Sequence, residues 1–255
     1  MIFYFSATGN SQYAAERIAE ATDDHLVSLR QALRERRYRY ELGREERLGF
    51  VIPVYFQGLP SIVRFFLEKL VLSGAREPYV YLILTCGSCT GDAAGQLGKL
   101  LQKKGLSLSA QFAIPMVDNY IPLSRIPDRE EQLQLLDRAE EYLEEARRAV
   151  RARGIGDYNR FQGPAPALQT AAAYQAYACG RSTRPFLATD ACIGCGLCQE
   201  ICPCGAITLS EGRPQWRKSQ CVRCLGCLHR CPTEAIRWKK PGEAQGRYVN
   251  PHVTL

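Results

Sequence analysis

The 255-residue chain has no apolar run approaching the roughly 18 residues of a membrane-spanning helix, so the sequence predicts no membrane span. Its apolar start, Met1-Ile-Phe-Tyr-Phe5, carries no basic leader and runs straight into Ser6 and Thr8; it reads as a strand, not a signal peptide. The loop that follows has no lysine, which excludes the G-x4-G-K-[ST] loop of nucleotide hydrolases. It is not G-x-G-x-x-G either, so a nicotinamide fingerprint is missing. No acid/base constellation stands out anywhere in the chain. Charged residues at 23% and hydrophobic ones at 46% describe an ordinary globular protein, long for one domain and comfortable for two.

Cysteine is what the chain has in quantity, twelve in all, eight of them in two near-copies of one run. Cys192-Ile-Gly-Cys195-Gly-Leu-Cys198-Gln-Glu-Ile-Cys202-Pro203 is echoed by Cys221-Val-Arg-Cys224-Leu-Gly-Cys227-Leu-His-Arg-Cys231-Pro232. Each reads C-x2-C-x2-C-x3-C-P, the spacing that holds a cubane iron–sulfur cluster. Three close cysteines wrap one corner of a cluster, and the fourth iron is out of local reach. The distant cysteine of each run therefore serves the other cluster. This assigns Cys192, Cys195, Cys198 and Cys231 to one [4Fe-4S] cluster, and Cys221, Cys224, Cys227 and Cys202 to a second. Pro203 and Pro232 cannot continue a helix and turn the chain away from each site. Structural zinc would use C-x2-C pairs with a longer spacer, and a disulfide framework suits a small secreted domain. Thiols spent on metal point instead to a reducing, cytoplasmic compartment. The segment from Phe186 to Lys240 resembles a bacterial-type ferredoxin, a small α+β domain.

Residues 1–153 alternate strand and helix signals. Ile2–Phe5, His25–Leu29, Leu48–Val54, Tyr79–Thr85 and Leu106–Ile114 read as strands. Helices are expected at Ser11–Ala21, after a Ser61 cap with Ile62, Phe65, Phe66 and Leu70 inward, and at Gly91–Lys104. A long amphipathic helix is expected at Asp128–Arg153, with Leu133, Leu136, Leu143 and Val150 inward. The rhythm predicts an α/β fold with a doubly wound, five-stranded parallel sheet. Residues 154–185 are a Gly- and Pro-broken linker with a short helix at Ala167–Ala178. Residues 186–255 form the second domain and a C-terminal tail.

After the first strand, Ser6-Ala-Thr8-Gly9-Asn10-Ser11 opens a helix. Hydroxyls and an amide around a glycine that lets backbone approach closely make a nest for a phosphate, or else a Ser/Thr-capped helix start. This run is similar to the S-x-T-G-N-[ST] phosphate loop of flavodoxins. The resemblance implies a flavodoxin-like sheet and FMN, with Ser6, Thr8, Asn10 and Ser11 holding the 5′-phosphate. FMN would then sit at the sheet's switch point, where other strand-end loops converge. In Pro53-Val54-Tyr55-Phe56, either aromatic stacks on the flavin ring or belongs to the core. Cys86-Gly87-Ser88-Cys89 offers backbone amides but no aromatic, where many flavodoxins have one. One flavin face is therefore open, or covered by something else. Asn119-Tyr120, after the fifth strand, is the candidate cover; otherwise it is a turn.

The order of flavodoxin-like domain, linker and two-cluster ferredoxin resembles a family of flavodoxin–ferredoxin fusion proteins. The resemblance implies passage of single electrons between two [4Fe-4S] clusters and FMN, and to or from redox partner proteins. An FMN-dependent reductase of a small molecule, fed by its own ferredoxin domain, is the alternative. A redox sensor or assembly module is a third. The formal charge of +7 gives no nucleic-acid partner. Eight thiolates at roughly −8, two cluster cores at about +4 and a flavin phosphate at roughly −2 bring it to about +1. Four cysteines remain: Cys204 reads as a buried thiol, and Cys179 has no partner in sequence. Cys86 and Cys89 shape a loop or form a redox dithiol. His229 reads as a surface group or a hydrogen bonder beside a cluster, rather than a ligand.

Overall fold

A computed structural model describes residues 1–238 and 246–254, so Lys239, Lys240 and Leu255 of the expected second domain lie outside the described residues. The chain opens with β1 (Ile2–Tyr4), α1 (Asn10–Thr22), β2 (Leu26–Ser28), α2 (Leu29–Arg34) and β3 (Arg39–Leu42). It continues through β4 (Leu48–Pro53), α3 (Ser61–Lys69), β5 (Val71–Gly74), β6 (Val80–Cys86), α4 (Ala93–Gln102), β7 (Ala110–Pro115) and α5 (Arg129–Arg151). A two-residue β8 (Gly156–Asp157) and α6 (Pro166–Cys179) follow. The main sheet is parallel throughout, ordered β2-β1-β4-β6-β7-β8. Its first five strands repeat the flavodoxin-like order 2-1-3-4-5, in which the winding reverses beside the first strand. Loops at the carboxyl ends of β1 and β4 therefore diverge and leave a crevice.

Side chains alternate between the two sheet faces. Phe3, Phe50, Ile52, Leu82 and Leu84 meet Val63 and Phe66 of α3 and Leu97 and Leu101 of α4. Ile2, Val51, Tyr81, Ile83 and Phe112 meet Ala14 and Ile18 of α1 and Leu143 and Val150 of α5. All seven residues of β6 are buried, as a strand covered on both faces requires. Each fully buried large apolar side chain contributes roughly 1.5–3 kcal/mol of transfer free energy.

Several expectations shift. Ser61 is the first residue of α3 rather than its cap; Pro60 holds the cap position. Phe65 is 45% exposed, because α3 buries Ile62, Val63, Phe66 and Leu67 and turns Phe65 outward under the Lys69 ammonium. Leu133 is 44% exposed. The buried stripe of α5 steps through Leu136, Ala139, Leu143, Ala146 and Val150, and projects back to Gln132, about 100° around the helix from Leu133. The sheet also extends past residue 153, since β8 pairs with β7 and Tyr158 stacks on Phe112 at 4.8 Å. The parallel pair β3–β5 was not anticipated.

The second unit contains β9 (Phe186–Ala188), α7 (Leu197–Glu200), β10 (Ile207–Ser210), β11 (Arg213–Trp216), α8 (Gly226–His229) and β12 (Ile236–Trp238). β10 pairs antiparallel with β11, and β9 with β12. Each cysteine run thus contributes one single-turn helix and leads into one strand. Helix α6 brackets the two units: Tyr177 Oη donates to the Val222 carbonyl at 3.2 Å and lies 3.1 Å from Ser61 Oγ. Tyr174 Oη donates to the Leu59 carbonyl at 2.8 Å.

Gly49 faces Tyr81 across the sheet, where an added Cβ would lie 2.4 Å from the phenol. Gly49→Ala is expected to lower stability in chemical denaturation by about 1–3 kcal/mol through overpacking. The Tyr81 hydroxyl is buried with no hydrogen-bond partner among the described residues, so Tyr81→Phe should leave Tm unchanged or raise it.

Candidate functional site

Four strand-end loops line one cavity. Ser6, Ala7, Thr8, Asn10 and Ser11 come from the β1 end, and Pro53, Val54 and Tyr55 from the β4 end. Thr85, Cys86 and Gly87 come from the β6 end, and Val117, Asp118 and Asn119 follow β7. The sequence-derived residues are brought together here with five exceptions, since Gly9, Phe56, Ser88, Cys89 and Tyr120 do not line it. Phe56 stacks on Tyr177 at 5.4 Å and meets Tyr120 edge-on at 5.2 Å, so it belongs to the domain boundary. The Tyr120 hydroxyl accepts from Arg223 Nη1 at 3.0 Å and packs against the core of the second unit. Gly87 and Ser88 are exposed, so the β6 loop leaves its side of the cavity uncovered.

The phosphate-type loop is tied down by its own polar groups. The Gly9 N–H donates to Ser6 Oγ at 3.1 Å, and Asn119 Nδ2 donates to Thr8 Oγ1 at 2.8 Å. Ser11 Oγ lies 2.7 Å from Thr85 Oγ1 in a buried pair. Asn10 Nδ2 donates to the Val117 carbonyl at 3.1 Å. The side chains thus set the loop's shape, while the start of α1 presents backbone N–H groups without intrahelical partners, the feature that suits an anion.

The two cysteine quartets are also two electrostatic neighbourhoods. Burial raises the Cys198 thiol to about 11, and Cys192, Cys195 and Cys231 are the thiols that push it further. Burial likewise raises Cys227, with Cys202 and Cys221 as its larger thiol contributors and Cys198 of the other quartet adding to them. It raises Cys224 too, with Cys227 and Cys202 adding to the effect. Cys202, Cys221, Cys224 and Cys227 line a small cavity walled by Phe186, Ile207, Trp216, Val222 and Leu225. Among the described residues no three His, Cys, Asp or Glu side chains converge closely enough for a single metal ion. The thiols surround a space instead. Four thiolates there would repel one another unless a cationic core lay between them, and an iron–sulfur core fits that demand.

The fourth cysteine of each run has a matching environment. The Ala206 N–H donates to Cys202 Sγ at 3.3 Å, and the Ala235 N–H to Cys231 Sγ at 3.2 Å. Burial raises Cys231, but backbone N–H groups of Ile236, Thr233 and Ala235 outweigh it and hold the thiol below its usual range. The alanines were missed in the sequence, although Cys202-Pro-Cys-Gly-Ala-Ile207 and Cys231-Pro-Thr-Glu-Ala-Ile236 repeat their position.

The quartet of Cys202, Cys221, Cys224 and Cys227 stands against the first unit. A Cβ on Gly226 would meet Ala7 Cβ at 3.6 Å, and Arg230 Nε donates to the Ala7 carbonyl at 2.8 Å. Cys224 packs on the apolar core under the sheet. Tyr55 lines the loop cavity and packs on the same core as Cys224; burial, then the Cys224 thiol, push its hydroxyl well above its usual range. Cys195 of the other quartet is exposed.

His229 is not a surface group. It is 4% exposed; its Nε2 lies 2.8 Å from the Asn119 carbonyl, and its Nδ1 accepts from the Tyr248 N–H at 3.2 Å. Burial lowers its pKa to about 4, so the ring is neutral at physiological pH, with the proton on Nε2. Cys204 is half-buried on the wall of the second quartet's cavity, and burial raises its thiol to about 12.

Residues 191–236 match the 4Fe-4S dicluster domain family. The chain is 39% identical over 57 residues to the pyruvate synthase subunit PorD of Methanocaldococcus jannaschii, covering 22% of this chain and 66% of that one. It is 30% identical over 66 residues to Ferredoxin-1 of Caulobacter vibrioides, covering 25% and 58%. The chain spans from 17% to 66% of the length of the curated relatives it matches. Among solved structures, azoreductase AzrA aligns over 59% of this chain and 99% of its own at 10% identity and TM-score 0.38. The Trp repressor binding protein of Bacillus subtilis aligns over 56% and 97% at 16% identity and TM-score 0.34. Fold and cysteine site together place a flavodoxin-like α/β sheet ahead of a unit that matches the 4Fe-4S dicluster domain. The chain's architecture is that of a flavodoxin–ferredoxin fusion. No helix among the described residues is long and apolar enough to cross a membrane.

Burial and the neighbouring Cys89 push the Cys86 thiol to about 12, which suits a loop-shaping residue better than a redox dithiol. A thiol-alkylating reagent is expected to label exposed Cys179 within minutes and leave Cys86 unmodified until the protein unfolds, as read by peptide mass spectrometry.

Proposed function

We propose that the chain is a cytoplasmic electron-transfer protein carrying FMN and two [4Fe-4S] clusters, exchanging electrons with redox partner proteins. The observation that carries this reading is the seating of one cysteine quartet against the β1 loop of the switch-point cavity, with Tyr55 and Cys224 packed on one core. When bound, a cubane cluster supplies one-electron transfer and a flavin stores one or two electrons. Holding both on one chain makes their exchange intramolecular. The residues divide the work. Cys192, Cys195, Cys198 and Cys231 hold the outer cluster, and Cys202, Cys221, Cys224 and Cys227 the inner one. The β1 loop receives the flavin phosphate on the backbone N–H groups at the start of α1. Pro53, Val54, Tyr55, Thr85–Gly87 and Asn119 shape the space for the ring. The apolar walls around the inner quartet keep water from its thiolates.

A second reading, a reductase of a small molecule at the flavin, draws on the exposed Gly87–Ser88 edge, which leaves one side of the cavity open. Steady turnover of a small acceptor with no acceptor protein present would favour it over the first.

Purified without oxygen, the protein is expected to carry about eight irons per chain; about one metal per chain would refute the cluster assignment. Cys231→Ser should alter the electron spin resonance signal of the cluster held by Cys192, Cys195 and Cys198 and leave the other signal in place. Loss of the signal belonging to Cys221, Cys224 and Cys227 would overturn the exchange of fourth ligands. Thr8→Leu should abolish FMN retention with iron content unchanged.

A further inference from the structure

The C-terminal segment after residue 246 returns to the first unit and seats on the outside of the β1 loop. The Asn250 N–H donates to the Thr8 carbonyl at 2.8 Å. Asn10 Oδ1 accepts twice, from Tyr248 Oη at 2.6 Å and from Asn250 Nδ2 at 3.2 Å. Gly9 has φ +106°, and a Cβ there would lie 2.5 Å from Val253 Cγ2 and 2.8 Å from Asn250 Cβ. The missing side chain of Gly9 therefore makes room for this segment, a use separate from close approach of a ligand. Both acceptor positions of Asn10 are filled from the same side, which makes its side chain a strut of the loop.

These contacts close a ring. The His229 Nε2–H donates to the Asn119 carbonyl, and Asn119 Nδ2 donates to Thr8 Oγ1. The backbone runs from Thr8 to Asn10, Asn10 accepts from Tyr248 Oη, and the Tyr248 N–H returns to His229 Nδ1. Four segments meet here: the second cysteine run, the loop after β7, the β1 loop and the C-terminal segment. Neutral imidazole suits the junction because it offers one donor and one acceptor on opposite edges of a rigid ring. His229, Asn10, Tyr248 and Asn250 are all buried, so leaving any of these groups unpaired carries the cost of a desolvated polar atom.

We propose that Tyr248, Asn250 and Val253 are a buttress of the flavin site, holding the phosphate loop in its binding shape from outside. His229 is the positioning residue that ties that shape to the cluster-bearing unit. This rests on the reading of the cavity as a flavin site. The buttress touches only the phosphate end of that site, so its loss should be felt by the phosphate group and not by the ring.

The test is a pair of titrations on flavin-stripped full-length protein with its clusters in place, using FMN and riboflavin as probes. Tyr248→Phe should weaken FMN about tenfold, the scale of one lost hydrogen bond. It should move riboflavin less than about twofold and leave iron content unchanged. His229→Leu should do the same, and His229→Gln, which retains an N–H donor toward Asn119, should recover part of the loss. Equal weakening of FMN and riboflavin, or no change in either, overturns the proposal. Amide hydrogen exchange of residues 6–12 in flavin-free protein keeps the two layers distinguishable. If wild-type protein binds neither flavin, the flavin reading fails and the proposal with it. Faster exchange in Tyr248→Phe would then place the buttress behind a loop of another use, while unchanged exchange would show that the segment holds nothing.

Discussion

Two small residues face each other where the halves of this molecule meet. Ala7, in the middle of the β1 loop, lies against Gly226 at the start of α8, and a Cβ at residue 226 would already touch it. Around this point Arg230 reaches the Ala7 carbonyl, Cys224 enters the core beneath the sheet, and Tyr55 fills the space beside it. Alanine at 226 would make ordinary contact with Ala7, and a bulkier side chain there would press the inner quartet away from the crevice.

The approach is kept by packing and hydrogen bonds more than by charge. Helix α6 crosses the boundary and pins Leu59, Ser61 and Val222 through two tyrosine hydroxyls. His229 spends both ring nitrogens on backbone partners from distant segments. Among the described residues the carboxylate pairs are mostly at partly exposed side chains, where each contributes little. The electrostatic demand lies elsewhere, in thiols gathered at low exposure. Burial raises the thiols of Cys221, Cys224 and Cys227, which makes the inner quartet unfavourable as thiolates until a cationic core joins them. The N–H donors at Ala206 and Ala235 lessen that demand at the two fourth ligands.

Much of this was legible in the chain. The βα alternation of residues 1–153 led to the doubly wound sheet because apolar runs such as Val80–Cys86 must be covered on both faces. The loop residues Ser6, Thr8, Asn10, Ser11, Tyr55 and Asn119 do meet at one cavity, because in such a sheet the carboxyl ends of neighbouring strands share an edge. Errors fell where rotation decides. Phe65 and Leu133 are apolar and helical yet point away from the core, because a helix buries a stripe and not a composition. Phe56 and Tyr120 were aromatic neighbours of the crevice in sequence, but in space Phe56 packs on Tyr177 of α6 and Tyr120 on the second unit.

By itself the sequence determined the chemistry of the cysteines, since C-x2-C-x2-C confines three thiols to one corner whatever surrounds them. It determined the place of the phosphate-type loop as well, through hydroxyls and a glycine set between a strand and a helix. The tertiary structure alone decided which quartet faces the crevice and that His229 is a junction. It also decided that Gly9 and Asn10 answer to a segment some 240 residues away. Those outcomes depend on where separate elements come to rest, and no local pattern of residue types carries that information.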